Sequence, residues 1–150
     1  MSILNDIRRA ALDLLARREH STTELLHKLI KKNFVEKDIN AVLTILSQEN
    51  LLSDHRFTET FVAYRRRLGY GPLYIQAELK NRGVTEDIIQ HYLKVSADSW
   101  LDIIRNVWHK RFKGRVPTDY KSRAQQMRFL QYRGFTTEQI NSHLKGILSE

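Results

Sequence analysis

Gly69-Tyr-Gly-Pro-Leu-Tyr-Ile-Gln-Ala-Glu-Leu-Lys-Asn-Arg-Gly-Val-Thr-Glu-Asp-Ile-Ile-Gln-His-Tyr-Leu93 reads as a complete helical hairpin. Gly71 stands at a helix N-cap and Pro72 at the first helical position, where a missing N–H is no loss. Ile75 and Leu79, four apart, share one face. Gly83 ends the helix, because the position after a C-cap usually needs a positive φ that glycine adopts without steric penalty. Val84 packs back, and Thr85 caps a second helix with Glu86 and Asp87 in its first turn. Ile89 and Leu93 form that helix's buried stripe.

The same frame occurs twice more. Leu79-x4-Val84-x4-Ile89-x3-Leu93 matches Leu29-x4-Phe34-x4-Ile39-x3-Leu43 and Leu130-x4-Phe135-x4-Ile140-x3-Leu144, at spacings of 50 and 51 residues. Asn33, Gly83 and Gly134 precede the second position of the frame, and all tolerate the left-handed conformation. Eight residues before each leucine stands a cap-type residue, Ser21, Gly71 or Ser122. Three helical repeats therefore fill the chain. A 50-residue repeat cannot bury enough apolar surface alone, so the repeats are expected to stack as one elongated, solenoid-like all-α domain, with repeats over about 5-52, 53-96 and 97-150.

Four pieces stand out along the chain: Ala11–Leu25, Leu51-Leu-Ser-Asp-His-Arg-Phe57, Gly69-Tyr-Gly-Pro72 with Ile75, Glu78-Leu79 and Gly83-Val84, and Arg128-Phe-Leu-Gln-Tyr-Arg-Gly-Phe135. In these pieces the chain resembles the RecX regulatory protein family. They span nearly the whole chain in order. Two positions depart locally: Asn33 stands where glycine would be easier, and polar Gln126 where Leu25 and Ile75 stand. The resemblance implies three tandem three-helix repeats and a regulator that binds and inhibits the nucleoprotein filament of the RecA recombinase. ATP hydrolysis, strand exchange and co-protease activity would be limited, in DNA repair and the SOS response. It also implies lodging in the filament groove and blocking filament growth.

Composition supports a binding protein. The net charge of +8 lies mostly in the last third, where residues 101–150 carry 10 basic and 4 acidic side chains. That asymmetry points to a polyanionic or acidic partner. There is no cysteine, hence no disulfide or thiolate chemistry. The first nine residues contain no apolar signal region, and no 18 apolar residues run together. A soluble, cytoplasmic protein with no membrane partner is expected, as a monomer.

Within repeat one, an amphipathic helix from about Asn5 to Arg18 turns Ile7, Ala11, Leu14 and Leu15 inward. Ser21-Thr-Thr-Glu24 is a capping box. A third helix, about Glu36 to Glu49, buries Ile39, Val42, Leu43 and Leu46. Ser53, Asp54 and His55 are the residue types of a hydrolase triad, but consecutive positions cannot converge on one reacting atom. A helix cap at Ser53 or Asp54 is the better reading. Phe57, Phe61 and Tyr64 sit at helical spacing, the first two as core and Tyr64 as either core or contact.

Arg65, Arg66 and Arg67 fan around a helix end, so at most two meet one partner. They suit either the C-terminal dipole or a phosphate or carboxylate. Gly69-Tyr-Gly71 lacks the lysine and Ser/Thr of a phosphate loop. In repeat three a helix from about Ala97 to Phe112 places Leu101, Ile104, Val107 and Trp108 inward, and Lys113–Asp119 is a loop. Between Arg105 and Arg133 stand nine Lys or Arg against the single acid Asp119. The candidate partner- and DNA-binding surface is Arg65, Arg66, Arg67, Lys110, Arg111, Lys113, Arg115, Lys121, Arg123, Arg128 and Arg133. Tyr64, Tyr120 and Tyr132 are aromatic contacts for it. Phe129, next to the frame leucine, belongs to the core.

The six histidines are scattered, and none pairs with another ligand at zinc spacing. His91 and His143 read as helix surface. No nucleophile has a base and an orienting group at recognisable spacing, so neither an enzyme nor a cofactor is implied. The partners are then a RecA-type recombinase filament with single- and double-stranded DNA. The alternative is a general DNA-binding protein that uses a basic helical surface or a helix hairpin as a reader. It is disfavoured because no second helix begins with Arg, Asn and Gln.

Overall fold

A computed structural model describes residues 2–95 and 100–149. Among them are nine helices and no strand: α1 (Ile3–Arg17), α2 (Thr22–Lys31), α3 (Glu36–Gln48), α4 (Asp54–Arg67), α5 (Pro72–Asn81), α6 (Glu86–Val95), α7 (Trp100–Phe112), α8 (Tyr120–Tyr132) and α9 (Thr137–Leu148). They form three three-helix repeats. Eleven of the twelve frame residues are buried and Phe34 is half-buried against the first repeat's core.

The frame has a direct physical cause. The N–H groups of Phe34, Val84 and Phe135 donate to the carbonyls of Leu29, Leu79 and Leu130, at 3.4, 3.1 and 3.2 Å. Asn33, Gly83 and Gly134 between them have φ of 71°, 77° and 98°. This is the Schellman ending, in which the residue beyond the left-handed position packs on the residue three before the cap. The leucine and the aromatic or valine of the frame are that apolar pair. Gly69, at φ 90°, ends α4 in the same way, with Tyr70 N–H on the Arg65 carbonyl.

The chain divides into two compact units. One comprises Met1–Phe61 and Leu79–Ile89, the other Val62–Glu78 and Gln90–Glu150. Helices α4, α5 and α6 thus contribute to both. In the first unit α1, α2 and α3 pack pairwise around Ile7, Leu25, Leu29, Ile39 and Leu46. The start of α2 meets the turn after α5: Ser21 Oγ donates to the Arg82 carbonyl at 2.7 Å, and a Cβ on Gly83 would strike Thr23. Asp54 accepts from the Thr22 N–H at 2.7 Å, while Ser53 Oγ caps α4 by accepting from the Arg56 N–H.

The second unit repeats that arrangement with the next pair of elements. The start of α5 meets the turn after α8, where Gly71 N–H donates to the Arg133 carbonyl at 2.8 Å and Leu73 N–H to that of Gly134 at 2.9 Å. A Cβ on Gly71 would strike the Gly134 backbone, and one on Gly134 would strike Tyr74. Glycine is therefore required at 134 both by its φ and by the approach of α5. Exposed Asn33 meets only the first requirement, and asparagine is the side chain that tolerates it. Here α7, α8 and α9 pack on one another around Ile104, Leu130, Phe135, Ile140 and Leu144.

Four expectations change. Helix α8 begins a turn before Ser122: Asp119 is its N-cap, and Ser122 is the reciprocal member of that capping box. Leu101 is 37% exposed, and Trp100 takes the buried place beside Ile104. The expected start of α7 at Ala97 lies outside the described residues. His143 is not surface but fully buried, its ring edge-on to Trp108 at 5.1 Å, whereas His91 is exposed. Phe61 and Phe129 are half-buried, each with arginine over the ring.

Gln126 is buried and satisfied. Its Oε1 accepts from Trp108 Nε1 at 2.8 Å, and its Nε2 donates to the Arg115 carbonyl at 2.8 Å. The polar departure from the frame ties the 113–119 loop to α7.

Candidate functional site

The second unit gathers the basic residues. The three arginines closing α4 part ways. Arg65 turns inward, its Nε 3.0 Å from Glu78 Oε1 and its Nη2 donating to Oε2 at 3.2 Å. Arg66 lies 5.1 Å over the Trp100 ring, and burial lowers its pKa. Arg67 lies over Tyr64, which is 44% exposed with Arg65 and Arg67 at 5.6 and 5.5 Å from its ring centre. Tyr64 is thus a cation-flanked surface ring, not core.

A cleft of about 830 Å³ opens beside this helix end. Arg66, Arg67, Lys110, Arg111 and Arg133 line it, together with apolar residues that include Ile103 and Val107. The sequence places Arg65–Arg67 and the third repeat's cations as two separate charged regions. The fold brings Arg66 and Arg67 to one cleft with Lys110, Arg111 and Arg133. Phe129 holds two of the cations in place, with Arg111 and Arg133 at 5.4 and 5.7 Å from its centre. Tyr70, stacked on Tyr74 at 4.2 Å, carries the other approach of Arg133, at 5.0 Å.

Lys113 and Arg115 line a neighbouring hollow of about 420 Å³, which Arg111 also borders. Lys121, Gln125, Arg128 and Tyr132 recur at i, i+4, i+7 and i+11 and share one exposed face of α8. Tyr132 is 83% exposed on that face, and Tyr120 at the start of the helix is 88% exposed. Arg123 points elsewhere, into a hollow shared with Lys145. The cations therefore form a cleft, its margin and one helix face rather than a uniform patch.

Sequence reasoning misses Tyr70 and Trp100 as arginine supports, because aromatic–cation pairs across repeats carry no fixed spacing. It also misses Lys145, which lies beyond the densest charge run. Among the described residues no group of three His, Cys, Asp or Glu can hold a metal, and no helix is long and apolar enough to cross a membrane.

The family descriptions RecX first, second and third three-helix domain match residues 8–46, 53–93 and 98–144. The chain belongs to the RecX family. "Regulatory protein RecX" of Ectopseudomonas mendocina is 46% identical over 140 residues, covering 93% of each chain. That of Pseudomonas fluorescens is 44% identical, covering 93% of this chain and 90% of the relative. The crystal structure of RecX from Lactobacillus salivarius shares the fold at 18% identity, with a TM-score of 0.85 over 98% of this chain and 97% of that one. Both relatives bear the description of regulatory proteins.

Proposed function

We propose that this RecX-family chain is a cytoplasmic, monomeric regulator that binds the nucleoprotein filament of a RecA-type recombinase and inhibits it. ATP hydrolysis, strand exchange and co-protease activity are thereby limited in DNA repair. The observation that carries this reading is full-length relatedness to regulatory proteins together with cations concentrated in one unit. A filament on DNA offers protein carboxylates and phosphates together, and both are ligands for arginine. Arg66, Arg67, Lys110, Arg111, Lys113, Arg115 and Arg133 supply the cleft and its margin. Lys121, Arg128 and Tyr132 supply a second contact on α8, with Arg123 and Tyr120 flanking it. Arg65 and Tyr64 hold the α4 end in shape, Arg65 through its pairing with Glu78.

Several weak contacts on a repeating filament reinforce one another through effective concentration, whereas free DNA offers chiefly a charge interaction that salt screens. Direct base reading by a helix hairpin is disfavoured, since α3, α6 and α9 all carry acidic residues in their first turns. Those carboxylates would face phosphate where a recognition helix needs donors. The test is recombinase ATPase activity on preformed filaments, titrated with this protein and challenged with competitor DNA. Inhibition that persists in excess DNA is expected. Full recovery of activity would mean that DNA sequestration is the mechanism.

A further inference from the structure

Five arginines outside the cleft have carboxylate partners. Arg8 pairs with Glu49, Arg18 and Arg82 with Glu24, Arg56 with Glu19 and Arg65 with Glu78. The cleft beside α4 is different. Among the described residues no Asp or Glu lines it, and Arg66, Arg67, Lys110, Arg111 and Arg133 form no ion pair there. Arg66 Nε is buried and has no hydrogen-bond partner among them. Five like charges around one concavity repel one another, and a buried guanidinium donor left unbonded is costly. An anion in the cleft relieves both.

The geometry points to a site for a free polyphosphate, with a nucleoside triphosphate as the representative ligand. Volume and charge density decide between anions. About 830 Å³ is the size of a small-molecule site, and apolar residues beside a few polar groups are the usual lining of one. A nucleic-acid strand carries one charge per nucleotide, so a cleft this size would meet only one or two of its phosphates. Carboxylates along a peptide are spaced more widely still. Contiguous phosphoryl groups concentrate several charges and many acceptor oxygens in that volume. Four of the five cations are arginines, whose forked donors match phosphate oxygens two at a time. The apolar lining residues Ile103 and Val107 would receive the uncharged end of the ligand.

The inference does not depend on filament binding, and its test contains no recombinase. The full-length protein is titrated by calorimetry with inorganic tripolyphosphate, with a nucleoside triphosphate and with a short single-stranded oligothymidylate. Tryptophan emission is followed in parallel, because Trp100 lies under Arg66. One-to-one saturation by both polyphosphates is expected. Arg67→Gln with Lys110→Gln, both exposed, should weaken it about tenfold or more, as loss of charge-assisted bonds does. Arg9→Gln with Lys37→Gln, both exposed in the first unit, removes the same charge outside the cleft and should leave the affinity within about twofold. Three results would overturn the assignment: no saturable polyphosphate binding, equal weakening in both double variants, or a cleft effect seen only with the oligonucleotide. Equal displacement by an oligoglutamate would assign the site to acidic peptide instead.

Discussion

Gly134→Ala should be among the most damaging single-methyl additions to this chain. The residue sits at φ 98°, and a Cβ there would lie 2.6 Å from Tyr74 N as well as against that residue's side chain. A left-handed alanine costs about 1–2 kcal/mol. Forcing a methyl into packed surroundings adds about 1–3 kcal/mol. The expected loss is therefore roughly 2–5 kcal/mol, whether the methyl is accommodated by strain or by parting the Gly71–Arg133 and Leu73–Gly134 hydrogen bonds. Asn33→Ala is the control, since Asn33 has φ 71° but is exposed and meets only the backbone cost, about 1 kcal/mol. Urea unfolding followed by far-ultraviolet dichroism measures both. A Gly134→Ala loss within about 0.5 kcal/mol of that control would refute the close approach of α5 as the reason for glycine. The variant should also weaken ligand binding in the cleft. Arg133, whose carbonyl accepts from Gly71, places its side chain there.

Acidification should destabilise the protein below the ordinary histidine range. His20 is held below 6.5 by burial and by the charges of Arg18 and Lys28, against its backbone bond to Arg18, and His143 by burial and Arg105. Both contribute stability above pH 6.5 that is lost as pH falls through their lowered values; a midpoint unchanged between pH 7 and 5 would contradict this. Glu24 extends the loss to lower pH: burial raises its pKa, but Arg18, the Ser21 N–H and Arg82 outweigh it and hold the carboxyl low. Leu79→Ala should cost about 2–5 kcal/mol within one cooperative transition, because α4, α5 and α6 each serve both units; two resolved transitions would disprove a single domain. DNA binding should fall with salt at a log–log slope near −4 to −5 if about five phosphates are neutralised. Arg111→Glu with Lys113→Glu should weaken it on all sequences alike, and a salt-insensitive affinity would exclude this surface.

The fold is legible because each repeat writes its helix ending into the sequence twice. The left-handed residue and the apolar pair around it both appear at fixed spacing. Leu79, Gly83 and Val84 are readable from local chemistry alone, and the other two repeats confirm the reading. Position 122 misleads because the frame extends into a helix that starts a turn earlier, with Asp119 supplying the cap. His143 misleads because a one-residue offset from His91 rotates a side chain by about 100°, enough to move it from solvent to the Trp108 edge. The binding residues are legible as a charge excess but not as a geometry. Nothing at fixed spacing says that Arg66 and Arg67 open onto the same cleft as Lys110 and Arg133, or that Arg65 does not.

The docking of each helix start on a later turn also explains where binding chemistry can be carried. The start of α2 is occupied by the turn at Arg82–Gly83, and the start of α5 by the turn at Arg133–Gly134. Residues there are chosen for fit: a serine that reaches a carbonyl in one case, a glycine that makes room in the other. Helix α8 closes its own N-terminus through Asp119 and Ser122, and its first turn is exposed. Tyr120, Lys121 and Arg123 therefore answer to no packing demand of this kind. The same logic holds at the other end of that helix. The Arg133 backbone is committed to docking α5, but its side chain, released from that task, stacks on Tyr70 and Phe129 and reaches the cleft. One residue thus joins repeat stacking to anion binding, which is why a stability mutation at Gly134 should be felt in the site.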